Sequence, residues 1–579
     1  MSSKPQLFAT IDIPGGFPMA IWDHVNKYQG NYYYNPAGDV ETRTCTELDI
    51  LHILAAIQNK PDWWTKVSNE DTTNRWRDEV MESLEEIQEM QERQPDDLED
   101  YNQQLFDFAL AETQWKAKRI LQNGQEQQAS VPAAVEGVFC RQAVSDGLLQ
   151  KLGRHIATLR SRPAIGSDLE DRHPGTPQMV DLIHPSLYCY EQGTTMVLEG
   201  VGSEAVCQPG NWDKFLGAGT IKEEKRLTLH VHSDAISNAG LQWLPAEFHV
   251  NKEGKECNIS SYINSLHPVE DARMYSSISG LFLEAWKMLS HNHWRTSPIQ
   301  NLSVCRSLIA GPEPPTEKNN PVSLRDRPLQ VIVKIASLEL EPGESYAGGA
   351  WHVEGALDER IVATACCYLE SSNVSGGDFG FRVAVGEPFY EQNDGKGVKF
   401  MYGLGDDQLM VQEIGTCSTP AGRILAWPNT LQHCVGPVDL VDPDQSGKRT
   451  ICCLFLVDPT LRIRSTATVP PQQIPWYSDK VKPILGDSGL VEQGIQKEIV
   501  SYMPMPGMLT YEEACERRGR LMEERSALWT EGNFWAYLST FSLSPVIFSM
   551  RPSFVCTGRK LYKLSRRREP KHRGCRSNL

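Results

Sequence analysis

Two periods of apolar spacing divide this chain. In its N-terminal part Trp76, Val80, Leu84, Ile87 and Met90 recur three or four positions apart, with Glu and Gln between them. That spacing predicts an amphipathic helix, closed by Pro95. Further helices are predicted from Thr46 to Gln58 and over a run carrying Leu105, Phe108 and Trp115 that ends at Asn123-Gly124. Periodic apolar faces mostly pack, so these helices are expected to cover one side of a sheet. From Pro328 the period becomes two. Strands are predicted over Leu329–Leu340, Gly349–Glu354, Arg360–Glu370, Asp378–Val385, Gln408–Cys417, Gly422–Ala426, His433–Val441 and Lys448–Asp458, with turns such as Gly376-Gly377 between them. Eight short strands in so compact a stretch predict a jelly-roll, or double-stranded β-helix, barrel. A last helix is predicted at Tyr511–Arg525.

The expected fold class is therefore α+β, a cupin-like barrel wrapped by a largely helical N-terminal half. The expected divisions are a helical region at 1–130, a mixed α/β region packing on the barrel at 131–327, the double-stranded β-helix at 328–470, a helical extension at 471–541 and an atypical basic tail at 542–579.

Composition adds limits rather than an identity. With 579 residues, 40% hydrophobic and 23% charged, the chain can bury a sizeable core. The net charge is −17, but residues 551–579 carry ten Lys/Arg against Glu569 alone, which leaves −26 on the rest. So acidic a body argues against a general nucleic-acid binder, which needs a basic face to displace counterions. Phe534–Met550 is mostly apolar but contains Pro545 and several hydroxyl residues, and it falls short of the ~20 apolar residues a spanning helix needs. A membrane anchor is not expected. Arg566–Arg573 has the composition of a nuclear-localisation or anion-seeking patch. The fifteen cysteines include no CxxC. The neighbours Cys366-Cys367 and Cys452-Cys453 should point to opposite faces of their strands. The N-terminus lacks the basic start and apolar run of a secretory signal, so an intracellular location, cytoplasmic or nuclear, is expected.

The chemistry gathers in the C-terminal half. His352 and Glu354 are two residues apart at the end of a predicted strand, so both side chains leave on the same side. His433 opens a later strand. Two imidazoles and one carboxylate form the face that holds ferrous iron while leaving positions open. Arg449 begins the last strand, and a guanidinium there suits bidentate capture of the distal carboxylate of 2-oxoglutarate. Competing readings are a surface His433, an Arg449 paired to an acid such as Asp458, and Lys448 as the inward cation. Trp351 should point away from the metal face, and Tyr346 is a secondary pocket residue. The pairs His230/His232 and His291/His293 lack a carboxylate at strand spacing and are set aside.

The stretches YAGGAWHVEGALDERIVATACCYLESSNVSGGDFGFR, GRILAWPNTLQHCVGPVDLVDP, KRTICCLFLVDPTLRIRSTATVPPQ, DLIHPSLY, LQWLPAEF and SYINSLHP resemble the fungal domain-of-unknown-function family 4246. The similarity runs from the N-terminal region to about Leu543. The arrangement of the His-x-Glu, the later His and the Arg in turn resembles the iron(II)- and 2-oxoglutarate-dependent oxygenases. That resemblance implies His352, Glu354 and His433 as iron ligands, Arg449 as the 2-oxoglutarate anchor, and hydroxylation of a substrate C–H by a dioxygenase. Glu354 departs from the commoner Asp of that superfamily. The alternatives are a cupin-like metalloenzyme that does not use 2-oxoglutarate and a non-catalytic barrel serving as an interaction scaffold. The expected substrate is a small molecule or a peptide, of unspecified identity.

Overall fold

A computed structural model gives the fold. The described residues are 42–527 apart from 92, 94–97, 123–130, 136, 142–143, 163–170, 199–207, 223–227, 232–233, 238–239, 290–322, 357, 387, 389, 392, 406–407 and 478–505. The basic tail, the Phe534–Met550 run, His232, His291 and His293 lie outside them. Among the described residues no helix is long and apolar enough to cross a membrane.

Three long helices lead the described residues, α1 (Cys45–Gln58), α2 (Glu70–Met90) and α3 (Leu98–Gln122), with a single turn at Trp63–Lys66 between the first two. A reciprocal cap starts α1: the Glu47 N–H donates to the Thr44 hydroxyl, and the Glu47 carboxylate accepts from the Thr44 N–H at 2.6 Å. Trp76, Val80 and Leu84 of α2 are buried, as their spacing requires, whereas Met90 is exposed and Gln88 is buried instead. Gln88 reaches a polar centre, donating to Asp49 and to Asn102, while Arg93 forks onto Asp49 at 2.7 and 2.9 Å. That network replaces the apolar stripe at its C-terminal end.

The strands are β1 (Val131–Pro132), β2 (Phe139–Arg141), β3 (Met179–Ile183), β4 (Ala246–Val250), β5 (Cys257–Ile259), β6 (Arg327–Leu340), β7 (Ser345–Tyr346), β8 (Ile361–Ser372), β9 (Val374–Gly376), β10 (Phe379–Ala384), β11 (Val411–Cys417), β12 (Ile424–Pro428), β13 (Gln432–Val435), β14 (Val438–Leu440) and β15 (Gly447–Val457). A nine-stranded antiparallel sheet runs β1-β2-β12-β8-β15-β6-β4-β5, with β3 also on β6. Two smaller sheets have the orders β11-β10-β13 and β7-β14-β9. Three short two-stranded sheets, left unlabelled here, complete the strands of the described residues.

Alternation along the long strands sorts two cores. Val331, Val333 and Ile335 of β6 face a core shared with the helix Ala272–Leu289. Ile332, with Cys366, Tyr368, Cys453 and Phe455, faces a second core shared with Phe379, Phe381 and Ile414 of the small sheet and with helices α1 to α3. The N-terminal helices therefore pack on a sheet. Cys366 and Cys453 fall in one core, Cys367 and Cys452 in the other, as adjacent strand residues must.

The protein is thus mixed α and β with antiparallel sheets, and among the described residues hydrogen bonding closes no barrel. Of the expected jelly-roll barrel the structure gives antiparallel sheets whose side chains meet in one core. Two strand boundaries also move. Gly349–Glu354 is not a continuous strand: after β7 only an isolated bridge at His352 remains, between Gly348 at φ +99° and Gly355 at φ +74°. His433–Val441 divides into β13 and β14 at Gly436-Pro437, because proline has no N–H for the ladder.

Candidate metal centre

His352 sits in the loop after β7 and His433 in β13, and a single antiparallel bridge fixes them opposite one another. The His352 N–H donates to the His433 carbonyl at 3.0 Å, and the His433 N–H returns the bond at 2.9 Å. Each imidazole turns its Nδ1 to a backbone oxygen, His352 to Ala350 at 2.8 Å and His433 to Leu431 at 3.4 Å. A carbonyl only accepts, so a neutral ring held in this way carries its hydrogen on Nδ1 and has its Nε2 lone pair to give a metal. Both Nε2 atoms converge on Glu354 Oε1, at 3.8 Å from His352 and 3.3 Å from His433. The three ligand atoms all lie within 4.8 Å of one another.

The surroundings hold this shape. His433 is buried, stacked on Phe379 with centroids 5.1 Å apart and met edge-on by Trp427. The His352 side chain is 42% exposed, which leaves one side of the group open. Asn429, buried in the turn between β12 and β13, clamps the backbone of Glu354. Its side chain accepts from the Glu354 N–H and donates to the Glu354 carbonyl, each at 2.8 Å, and donates again to Ile361. Although one edge of the ring is exposed, the protein packed round the rest of it, and then the neighbouring His433, push the His352 imidazole down to about 4. Burial by itself would raise the Glu354 carboxyl, but His433 against it and then the nearby His352 hold it at about 2. At neutral pH the group therefore offers an ionised carboxylate and a neutral His352, the states in which these side chains ligate metal.

Arg449 is buried on β15 in the alternating series with Ile451, Cys453 and Phe455. It faces the core that contains Phe379, the ring on which His433 stacks. Its Nη1 lies 3.4 Å from the Gly377 carbonyl, and its Nε has no partner among the described residues. Asp458 does not pair with it, since that carboxylate caps Thr460. Lys448 points outward and pairs with Glu370 at 2.9 Å. Trp351 is partly exposed under the Arg382 guanidinium, 4.7 Å from its ring centroid, in a packing role. Tyr346 is partly buried at the end of β7.

Sequence reasoning missed Asn429, whose only signal is its place in the turn before His433. It also missed a second group, His173, Asp181 and His184, with ligand atoms within 4.8 Å of one another. Its bonding differs. His184 Nδ1 accepts from the Ser186 N–H at 3.2 Å, so in the neutral ring the hydrogen is on Nε2 and no lone pair is left for a metal. Burial pushes His184 well below its ordinary value and so keeps it neutral. Asp181 is held by His173 at 2.8 Å, with Arg518 at 3.8 Å. These contacts make a hydrogen-bonded network, whereas the His352 group presents free lone pairs.

Two family models match the chain. One, described as a protein of unknown function (DUF4246), covers residues 103–298 and 290–480. The other, the N-terminal domain of the same family, covers 3–79. The chain belongs to the DUF4246 family. The DUF4246 match takes in the whole candidate centre and ends at residue 480, short of Leu543. None of the curated proteins matches it. Solved structures similar to this DUF4246 chain include an oxidoreductase of the 2OG-Fe(II) oxygenase family from Burkholderia pseudomallei, at 8% identity over 42% of this chain and 76% of that one, TM-score 0.18. Others are the Fe(II)/(alpha)ketoglutarate-dependent dioxygenase TqaL, at 9% identity over 56% and 95%, TM-score 0.20, and a Pseudomonas putida prolyl-4-hydroxylase, at 16% over 22% and 51%, TM-score 0.13. Likeness at these scores carries no functional inference.

Proposed function

We propose that this DUF4246 protein is an iron(II)- and 2-oxoglutarate-dependent oxygenase that hydroxylates a substrate C–H bond. The observation that carries the reading is the convergence of two Nε2 lone pairs on one ionised carboxylate oxygen, with both Nδ1 atoms tied to backbone carbonyls. Two imidazoles and one carboxylate suit iron(II) and leave positions for other ligands. In this reading the segment 328–470 is an open double-stranded β-helix with its ligands at the strand ends.

When bound, iron(II) with 2-oxoglutarate supplies an oxidation in which 2-oxoglutarate, O₂ and a substrate C–H become succinate, CO₂ and an alcohol. His352, Glu354 and His433 would hold the metal. Asn429 fixes the Glu354 backbone so that its carboxylate stays between the two imidazoles. Phe379 and Trp427 wall off His433 from water, and the exposed edge of His352 is the side from which a substrate approaches. Arg449, buried and short of partners, would receive the distal carboxylate of 2-oxoglutarate through its fork.

The test is anaerobic titration of iron-loaded protein with 2-oxoglutarate, followed by the visible charge-transfer band of the chelate. A saturable band that weakens strongly in Arg449→Met, with iron retained, is the expected result. Iron uptake with no response to 2-oxoglutarate in the wild type would overturn the reading in favour of a metalloenzyme that does not use it.

A further inference from the structure

The loop that carries His352 and Glu354 has little backbone to hold it on the small sheet β11-β10-β13. After β7 it meets β13 through the Gly349 N–H, which donates to the Val435 carbonyl at 2.8 Å, and through the bridge between His352 and His433. Opposite residues of a ladder share a face, and successive ones alternate. His352 and His433 both point to the ligand side, so Trp351 falls opposite Cys434 on the outer side of the sheet. Cys434 in turn pairs with Gly380 of β10.

Side chains take over where the ladder stops. The Trp351 ring reaches past Cys434 to Gly380: a Cβ built at Gly380 would stand 3.2 Å from Trp351 Cη2 and 3.4 Å from Cys434 Sγ. The indole thus occupies the space that a side chain at position 380 would need. The Arg382 guanidinium lies over the same ring, 4.7 Å from its centroid, and an indole is the best aromatic partner for a cation. Arg382 is itself tied down. It pairs across the ladder with the buried Gln432, and its Nε donates to the Gln432 side chain. Trp351 immediately precedes His352, and Gln432 immediately precedes His433. One outer-face stack therefore joins the neighbours of both imidazoles through β10.

Resting on the metal centre proposed above, we propose that Trp351, seated on Gly380 and held by Arg382, is a positioning residue that sets where His352 stands relative to His433. His433 is buried against Phe379 and Trp427, which fix its ring directly. His352 is the ligand with an exposed edge, so its place depends on the loop that carries it. Trp351 acts through that loop, from the face of the sheet opposite the metal.

The experiment uses the full chain under anaerobic conditions, titrated with ferrous iron and, separately, with cobalt(II), whose visible d–d bands report the geometry of its ligands. Trp351→Ala is expected to weaken iron by roughly tenfold, the scale of one cation–π pair expressed as affinity, and to change the cobalt spectrum. Trp351→Phe keeps a ring on Gly380 and should restore most of both. Gly380→Val puts a side chain where the indole lies and should behave like Trp351→Ala. Arg382→Met leaves the ring but removes the cation, and should weaken iron by roughly threefold. Wild-type iron affinity with a wild-type cobalt spectrum in Trp351→Ala would overturn the assignment, and so would a loss that Trp351→Phe does not repair. Should Trp351→Ala fail to fold, as read from its thermal melt, a folded Arg382→Met decides in the same way: unchanged affinity and spectrum there would overturn the clamp. A wild type that takes up neither metal would overturn the metal centre itself, and the assignment with it.

Discussion

Asn429 is buried between the two ligand segments, and all three of its side-chain bonds go to backbone, two to Glu354 and one to Ile361. Replacing it by alanine leaves a Glu354 N–H and two carbonyls without partners in a mostly buried turn. One unsatisfied buried group costs about 1–3 kcal/mol. Asn429→Ala should therefore lose about that much stability in urea unfolding, and it should bind iron more weakly because Glu354 is no longer held between the imidazoles. Full stability and full iron affinity together would remove Asn429 from its positioning role.

The element that presents His352 is a loop rather than a strand. Gly348 adopts φ +99°, and a Cβ there would lie 2.8 Å from the Val435 carbonyl oxygen on β13. Both facts exclude a side chain, because the conformation is strained for any L residue and the carbonyl belongs to the ladder that carries His433. Gly348→Ala should push the loop off β13 and lower iron affinity at least severalfold, read by competition with a metal-binding dye; an unchanged affinity would mean that the bridge between His352 and His433 does not set the site. This is also where the sequence was least legible. The spacing of His352 and Glu354 and the order of His433 and Arg449 could be read directly, since side-chain chemistry and chain order are written in the sequence. The strand assigned to Gly349–Glu354 could not be corrected from period alone, because two glycines with positive φ end the pairing while the apolar alternation continues. The eight-strand reading likewise captured the strands of the C-terminal half but not how they distribute among sheets, which depends on cross-strand partners far apart in the chain.

At the scale of the molecule, the C-terminal helix Tyr511–Ala527 reaches back to the ligand loop. Arg525 pairs with Glu359 at 2.7 Å and lies over the Trp243 ring, 3.7 Å from its centroid. Glu359 is fully buried and also accepts from the Trp243 and Ala356 N–H groups, so it ties the residues just after Glu354 to two distant segments. Breaking a buried ion pair from one side strands the other charge, at a cost of about 3–5 kcal/mol. Arg525→Ala should lose stability of that order by denaturant titration, whereas a loss below 1 kcal/mol would show that the helix is not coupled to the loop.

The measurement that bears most directly on the centre is ferrous iron uptake under anaerobic conditions, by metal analysis of wild type, Glu354→Ala, His433→Ala and His184→Ala after desalting. The structure predicts stoichiometric uptake by the wild type and by His184→Ala, and none by Glu354→Ala or His433→Ala. Uptake that survives loss of Glu354, or that disappears with His184, would contradict it and move the metal to the His173 group.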